Sequence, residues 1–316
     1  MRNADSLSVL KPGILWSLII ERTRHALDCG ALQSLDTDCE FVEQDGVRFI
    51  MRTLSATGHR HHASKNQRIA SADFNPFLPY EEDLFVADIS TTHLCLLNKF
   101  NIVDHHLLVV TRAFEEQESA LNLSDFEALC ACMAEIDGLA FYNSGKKAGA
   151  SQRHKHLQLI PLPMAPTGPP VPIEPALALD SIGAGVTTSP DLAFLHALVR
   201  LEPSIFGTPS AASTLFEYYK ALMDAVNLRV DADRSSAPYN LLATQQWMLL
   251  VPRLCGAFDS IPVNALGFAG SLLAMDAGQL QALKEHGPMT ILKRVVVSSA
   301  SWQKYTSSLH YRSNSL

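Results

Sequence analysis

Residues 143–161 read NSGKKAGASQRHKHLQLIP and carry the pattern that decides the fold. Polar and apolar residues alternate in the second half of this segment. Successive side chains of a β-strand point to opposite faces of a sheet, so His154, His156 and Gln158 share one face while the intervening leucines face the other. The segment therefore predicts a strand that presents two imidazoles and a carboxamide on one surface, with an apolar core behind it.

The first half of the segment has the composition of a loop that binds an anion. It contains two glycines, two hydroxyl groups and three cations: Gly145, Gly149, Ser144, Ser151, Lys146, Lys147 and Arg153. Glycine lets backbone N–H groups approach phosphate oxygens closely, and hydroxyls and cations can neutralise the remaining charge. The pattern leaves open which of the three cations faces the phosphate. An imidazole beside such a loop points to phosphorus chemistry.

His156 is the candidate nucleophile. A neutral imidazole is a good nucleophile near pH 7, because the ordinary pKa of histidine lies close to that pH. A backbone carbonyl that holds one ring nitrogen as N–H leaves the other lone pair able to attack, and Gln158 can donate to a non-bridging oxygen as charge builds. An H-x-H pair also occurs in metal sites and in ordinary polar linings. Because no third ligand lies at a local spacing, we predict no metal site here.

The composition is that of a globular chain without a broad cationic surface. Hydrophobic residues make up 47% and charged residues 18% of the 316 residues, with a formal net charge of -7 and a pI of about 5.9. That charge does not favour nucleic acid. The apolar run from Ile14 to Ile20 is interrupted by Ser17 and closed by Glu21, too short to span a bilayer, and no secretory signal is evident. The scattered cysteines predict reduced thiols and a cytoplasmic protein.

Apolar periodicity and turn residues predict the other elements. We expect helices at 14–27, 124–138, 191–201, 212–226 and 276–286, the second opening with a capping box of Ser124 and Glu127. We expect a hairpin at 41–51, strands at 84–87, 92–97 and 106–111, and a strand pair at 239–244 and 247–253. The polar segment 55–73, with histidines at 59, 61 and 62, is interpreted as a mobile loop with solvated histidines.

A proline-rich stretch divides the chain. Prolines stand at 161, 163, 166, 169, 170, 172 and 175, which predicts a stiff connector without regular hydrogen bonding. The expected parts are a catalytic N-terminal lobe at 1–162, the connector at 163–182, a C-terminal lobe at 183–296 and a Ser-rich tail at 297–316.

Residues 148–158 resemble the H-x-H-x-Q signature of the ATP adenylyltransferase family, also called diadenosine tetraphosphate phosphorylases, within the histidine-triad superfamily. Further blocks resemble that family in the same order, at 74–81, 97–111, 239–244, 252–253 and 264–270. The resemblance implies an α+β fold in which a histidine-triad-like antiparallel sheet with flanking helices is extended by a C-terminal α/β lobe. It also implies reversible phosphorolysis, in which diadenosine tetraphosphate and phosphate give ATP and ADP.

The same resemblance implies roles for individual residues. His156 would form an adenylyl-histidine, His154 would fix its orientation and Gln158 would steady the α-phosphate. The residues implied to bind nucleotide or phosphate are Lys65, Asn98, Asn143, Ser144, Gly145, Gly149, Ala150, Ser151 and Gln152. Mg²⁺ or another divalent cation is expected to accompany the nucleotide as a counter-ion, with no tightly bound cofactor. The expected partners are small nucleotides and phosphate, with no nucleic acid and no membrane, and the sequence does not specify an oligomeric state.

Two alternatives stay open. Hexose-1-phosphate uridylyltransferases resemble the same Ser…H-x-H-x-Q arrangement and also make a nucleotidyl-histidine, although the downstream blocks favour the phosphorylase. A nucleotide-binding protein without turnover would keep the fold, although His156 and Gln158 are both present. Gln158 stands where the superfamily has its third histidine, which favours a transferase over a hydrolase.

Overall fold

The structure, a computed structural model, describes residues 10–55, 58, 75–231 and 234–296. Short strands dominate it. Their bounds are β1 (Thr37–Gln44), β2 (Val47–Leu54), β3 (Phe85–Asp88), β4 (His93–Leu97), β5 (Leu107–Thr111), β6 (Gly138–Asn143), β7 (His156–Pro161), β8 (Val186–Thr187), β9 (Ala197–Arg200), β10 (Val230–Asp231), β11 (Arg234–Ser235), β12 (Tyr239–Ala243), β13 (Trp247–Pro252), β14 (Ala257–Phe258), β15 (Ile261–Pro262) and β16 (Ser271–Ala274).

Nine of these strands form one sheet, in the order β3-β4-β5-β7-β6-β12-β13-β9-β8. Every neighbouring pair in it is antiparallel. Strands from both sides of the proline-rich connector take part, because β12 pairs with β6. In a second sheet β2 pairs with β1 and runs parallel to β16, which joins the early and late parts of the chain again. The antiparallel sheet confirms the α+β class.

Helices cover both faces of the nine-stranded sheet. Their bounds are α1 (Leu15–Asp28), α2 (Leu123–Met133), α3 (Glu174–Leu177), α4 (Ala211–Ala225), α5 (Ala265–Phe268), α6 (Ala277–His286) and α7 (Pro288–Val295). Buried side chains of α1, α2 and α4 form one apolar cluster with one face of the sheet. Those of α5 and α7 form a second cluster with the opposite face and with β2. No helix in the described ranges is long and apolar enough to cross a membrane.

The alternation predicted for the His-rich segment is confirmed in β7. Leu157 and Leu159 belong to the cluster under α1 and α2, whereas Ile160 belongs to the cluster on the opposite face. The strand is hydrogen-bonded on both sides, to β5 and to β6, so its register is fixed within the sheet. His156 and Gln158 consequently project from the second face, on a strand next to the middle strand of the sheet.

Several sequence predictions need correction. Residues 197–200 form β9 rather than a helix, because they pair with β13 and are largely buried on both faces. The N-cap of α2 is Asn122, which forms the capping box with Asp125, so the box predicted from Ser124 and Glu127 is wrong. That helix also ends at Met133, and Gly138 begins a strand instead.

Other predictions hold, although several observed elements were not predicted, among them β6, β16 and the helices α3, α5 and α7. The observed bounds of α1, α4 and α6, the β1–β2 hairpin and the β12–β13 pair agree with the sequence patterns. The connector contains the short helix α3, and α7 follows directly after α6, with Gly287 and Pro288 at the junction. The 59–62 histidine cluster and the 297–316 tail lie outside the described residues, so the loop interpretation stays a prediction.

Candidate active site

A cleft of about 370 Å³ opens on the face of the sheet that carries His156 and Gln158. Seven of the residues singled out by sequence line it: Asn98, Asn143, Gly149, Ser151, Gln152, His156 and Gln158. His154, Ser144, Gly145 and Ala150 lie next to these in sequence but are not among its lining residues. Lys65 lies outside the described residues. The structure thus brings most of the predicted site to one cavity.

His156 is held in the form that a nucleophile needs. Its side chain is buried, and Nδ1 lies 2.8 Å from the carbonyl oxygen of His154. Because a carbonyl can only accept, Nδ1 carries the proton and the lone pair of a neutral ring is on Nε2. Burial lowers the pKa of His156 to about 4, and the nearby His154 acts in the same direction. The imidazole is therefore neutral at pH 7, with its basic nitrogen fixed.

Gln117 holds the backbone of the same residue. Its Oε1 accepts from the N–H of His156 at 2.9 Å, and its Nε2 donates to the carbonyl oxygens of His156 and Asn143 at 3.1 and 3.0 Å. The amide thus joins β6 and β7 where the loop between them leaves the sheet. Sequence reasoning missed Gln117, because its partners are backbone atoms 26 and 39 residues away.

His154 supports the site from outside the cleft. It is buried, and its Nε2 donates to the carbonyl oxygen of Thr111 at 2.8 Å. Its Nδ1 then accepts from Nδ2 of Asn75 at 3.1 Å. Phe77 packs against both imidazoles, with ring centroids 5.6 Å from His154 and 5.3 Å from His156. The backbone carbonyl of His154 holds Nδ1 of His156, and the orienting role of the His154 side chain stays a prediction.

A chain of three polar side chains orients the carboxamide of Gln158. His106 Nε2 lies 2.9 Å from Gln158 Oε1, and His106 Nδ1 lies 3.2 Å from Asn98 Nδ2. Because an amide oxygen only accepts, His106 donates through Nε2 and accepts from Asn98 through Nδ1. The amide nitrogen of Gln158 is then the atom that can donate to a ligand in the cleft. His106 was not predicted as a site residue.

The glycine-rich loop is shaped by its two glycines. A single helical turn, Lys146–Ala148, lies between Gly145 at φ +81° and Gly149 at φ +94°, both in the left-handed region. A Cβ atom on Gly149 would lie 2.7 Å from the Cα atom of Asn264 and 2.8 Å from the carbonyl oxygen of Val263. Only glycine permits the backbone at 149 to lie this close to Val263 and Asn264.

The cations at the cleft differ from those that the sequence offered. Lys146 and Lys147 are exposed, and neither they nor Arg153 are among the lining residues. Arg153 instead forms an ion pair with Glu116 on the surface. Among the described residues, the cations that line the cleft are Arg52 on β2 and Lys99, the latter paired with Glu81. Both come from segments distant in sequence from the loop, so no local pattern identified them.

A buried arginine lies behind the loop. Arg253 is 1% exposed and donates to Oδ1 of Asn240 and to the carbonyl oxygens of Ala148, Cys255 and Val263. Burial lowers its pKa to about 10. Asn240 in turn donates to the carbonyl oxygen of Ala148 and to Oδ1 of Asn143, both at 2.8 Å. The loop is therefore tied to the second half of the chain by a buried cation and two amides.

Lys155 fastens the segment between the two histidines to the opposite layer. Its fully buried ammonium lies 2.6 Å from Oδ2 of Asp125 and 3.1 Å from Glu115, and it donates to the carbonyl of Ala120. Asp125 also lies 3.0 Å from His93 Nε2. Burial acts to raise the pKa of Asp125, but the hydrogen bond with His93 and the charge of Lys155 outweigh it and hold this pKa below its ordinary value. This buried network fixes the backbone from which His154 and His156 project.

The chain is similar in sequence to known proteins. Residues 5–179 match the Ap4A phosphorylase N-terminal domain, and residues 190–298 match the ATP adenylyltransferase C-terminal domain. The Saccharomyces cerevisiae protein named diadenosine 5',5'''-P1,P4-tetraphosphate phosphorylase 2 is 30% identical over 251 residues, covering 71% of this chain and 75% of that protein. Protein APA1 of the same organism is 25% identical over 299 residues, covering 83% and 87% of the two chains.

The fold is also similar to a solved structure. The crystal structure of yeast Ap4A phosphorylase Apa2 aligns with a TM-score of 0.75 at 22% identity, covering 92% of this chain and 99% of that one. The structural similarity shows a shared fold, and the domain matches show the family. This chain therefore belongs to the Ap4A phosphorylase family, in which the phosphorylase N-terminal domain is followed by an ATP adenylyltransferase C-terminal domain.

Proposed function

We propose that this chain is a diadenosine tetraphosphate (Ap4A) phosphorylase, or ATP adenylyltransferase, that works through a covalent adenylyl-histidine. Phosphate cleaves Ap4A to ATP and ADP, and the reaction is reversible. The observation that carries the proposal is the buried His156, whose Nδ1–H is held by the carbonyl of His154 at 2.8 Å at the wall of the cleft. Membership of the family and 30% identity to a yeast protein named as a phosphorylase support it.

In the first step the Nε2 lone pair of His156 attacks an α-phosphorus of Ap4A. A nitrogen–phosphorus bond forms, the bond from phosphorus to the bridging oxygen breaks, and ATP leaves. The ring becomes cationic, and the carbonyl of His154 stabilises that charge through the proton on Nδ1. In the second step an oxygen of inorganic phosphate attacks the same phosphorus, the bond to Nε2 breaks, and ADP leaves with His156 neutral again.

Gln158 and the loop assist both steps. The Asn98–His106–Gln158 chain directs the amide nitrogen of Gln158 for donation to a non-bridging oxygen of the α-phosphate. Gly149 and Ser151 line the cleft beside it, where backbone N–H groups and a hydroxyl can approach phosphate oxygens. Arg52 supplies positive charge for the rest of the polyphosphate, whereas the charge of Lys99 is largely balanced by its ion pair with Glu81.

A divalent cation arrives with the substrate in this proposal. Mg²⁺ prefers oxygen ligands and keeps several waters, so polyphosphate oxygens suit it better than this cleft. Among the described lining residues, Glu81 is the carboxylate, and it is already paired with Lys99. The cytoplasm is the proposed compartment, because the six cysteines are free and two of them are exposed.

The test is product analysis with purified protein. Ap4A and Mg²⁺ are incubated with and without phosphate, and nucleotides are resolved chromatographically. We expect ATP and ADP only when phosphate is present, and no turnover by His156→Ala. His196→Asn is the matched control, because His196 is equally buried and also donates from Nδ1 to a carbonyl, at 2.8 Å from Phe194, but lies outside the cleft.

The covalent step has its own readout. Protein quenched in base after incubation with Ap4A without phosphate should carry one adenylyl group, detected as an added AMP mass and located on His156 by peptide mapping. Formation of AMP and ATP without phosphate, or undiminished turnover by His156→Ala, would overturn the proposal.

A further inference from the structure

A second cluster of metal-ligating side chains lies outside the cleft, at the end of α1. His25 is in the last turn of that helix, Cys29 is its C-cap residue, and Asp83 belongs to the single turn Glu82–Leu84. One ligand atom from each of the three lies within 4.8 Å of the other two. His25 Nε2 is 2.8 Å from Asp83 Oδ1. Within the described residues, this is the one group of three such side chains that converges in this way.

The backbone beneath the cluster is fixed while the ligand atoms can move. His25 and Cys29 are four residues apart and so share a face of α1. Buried residues on the other face of α1, including Ala26, pack in the same apolar core as Leu84, which neighbours Asp83. The side chains of His25 and Asp83 are 47% and 56% exposed, and Cys29 is exposed. Rotation about side-chain bonds can therefore adjust ligand positions without disturbing the core.

The ligand chemistry selects the metal. An imidazole nitrogen, a thiolate sulfur and a carboxylate oxygen together form a donor set typical of zinc, whereas Mg²⁺ and Ca²⁺ prefer oxygen alone. Zinc bonds of roughly 2.0–2.3 Å place tetrahedral ligands about 3.3–3.6 Å apart. His25 Nε2 and Asp83 Oδ1, which lie 2.8 Å apart, would need to separate by about 0.5 Å, and rotation of these exposed side chains allows this. Water would supply the fourth ligand.

We propose that His25, Cys29 and Asp83 form a zinc site separate from the nucleotide cleft. Zinc binding would displace the proton of the Cys29 thiol and join the end of α1 to the segment before β3. That segment also carries Glu81, which lines the cleft and pairs with Lys99. The site therefore lies within two residues of the cleft wall, and it does not depend on the proposed reaction.

The test uses cobalt as a spectroscopic probe on the full chain. Metal-free protein is titrated with Co²⁺ in reducing buffer, and a thiolate-to-cobalt charge-transfer band with tetrahedral d–d bands is followed. Zinc is then added to displace cobalt, and calorimetry gives the stoichiometry and the Kd. We expect one equivalent of zinc to abolish the band and to raise the Tm of the protein, because the metal binds the folded state.

Variants assign the ligands. Cys29→Ser should abolish the charge-transfer band, and His25→Gln and Asp83→Asn should weaken zinc binding by roughly 100-fold, because even loss of an outer partner weakens metal sites roughly 10–100-fold. Cys39→Ser is the matched control, since Cys39 is also an exposed free thiol, and it should behave as the native protein. Absence of the band in the native protein, or its persistence in Cys29→Ser, would overturn the proposal, as would unchanged zinc affinity in His25→Gln.

Discussion

Replacing Gly149 with alanine should damage both the stability of the fold and the phosphate loop. Gly149 has φ +94°, and an added Cβ would lie 2.7 Å from both Cα and Cβ of Asn264 and 2.8 Å from the carbonyl oxygen of Val263. These are largely backbone atoms, and Asn264 caps α5 through the N–H of Leu266. The clash cannot be relieved by turning a flexible side chain, so the loop or the start of α5 must move.

The expected magnitude is the sum of two contributions. A left-handed φ costs a residue with a Cβ about 1–2 kcal/mol relative to glycine. Forcing a methyl group into a filled site costs about 1–3 kcal/mol more. The free energy of unfolding of Gly149→Ala should therefore fall by about 2–5 kcal/mol. The matched control is Gly185→Ala, because Gly185 has φ +96° and nothing lies within 4 Å of its Cβ position. The control should lose only the backbone contribution.

The assay is urea unfolding of both variants, together with steady-state phosphorolysis of Ap4A. Gly149→Ala should lose more stability than Gly185→Ala, and its kcat/KM for phosphate should fall because the loop beside Ser151 is displaced. Gly185→Ala should keep native kinetics. Equal losses of stability in the two variants would refute the steric argument, and native kinetics in a folded Gly149→Ala would refute the role of the loop.

Three further predictions follow from the buried polar groups. His106→Phe should lower kcat roughly 10–100-fold, because the side-chain amide of Gln158 is no longer held in place. In a Gln158→Leu background the same substitution should lower kcat little further in steady-state kinetics, and additive losses of kcat would contradict the coupling of the two residues. Lys155→Met should lower the free energy of unfolding, measured by urea unfolding, by about 3–5 kcal/mol, because the buried carboxylate of Asp125 loses its cation. Adding Asp125→Asn to that variant should restore part of the lost stability, and no restoration would contradict the pairing. Because burial lowers the pKa of His156 to about 4, the folded state favours the neutral ring. The free energy of unfolding should therefore fall by about 3 kcal/mol as the pH drops from 6.5, the ordinary pKa of histidine, to 4. Urea unfolding at several pH values should show a shallower loss for His156→Asn than for the native protein, and identical pH dependence would contradict the shift.

The sequence predicted the central strand of the site because the relevant signal is local. Alternation in β7 follows from the pleat of one strand, so the common face of His156 and Gln158 could be derived without knowing their neighbours. The glycines of the loop are also a local signal, because φ values as large as the +81° of Gly145 and the +94° of Gly149 strongly favour glycine. The family blocks added the fold of the rest of the chain.

Residues that act through distant partners left no such signal. Gln117 binds backbone atoms of two strands, and Arg253 binds carbonyl oxygens of segments far along the chain. Their functions depend on sheet order, which composition and spacing do not encode. The same cause made the prediction at 191–201 wrong, because pairing of β9 with β13 outweighs the helical spacing of its apolar residues.

The pairing of β6 with β12 means that the nine-stranded sheet is complete only when both halves of the chain are present. A fragment ending near residue 179 would expose the whole hydrogen-bonding edge of β6, a strand of buried residues, and such an edge invites aggregation. During synthesis the edge of β6 stays exposed until β12 leaves the ribosome. The Asn240–Asn143 hydrogen bond, which joins the two strands, connects residues 97 positions apart in the sequence. Because the sheet is completed late, the exposed edge of β6 is the part of the nascent chain that most needs protection from aggregation.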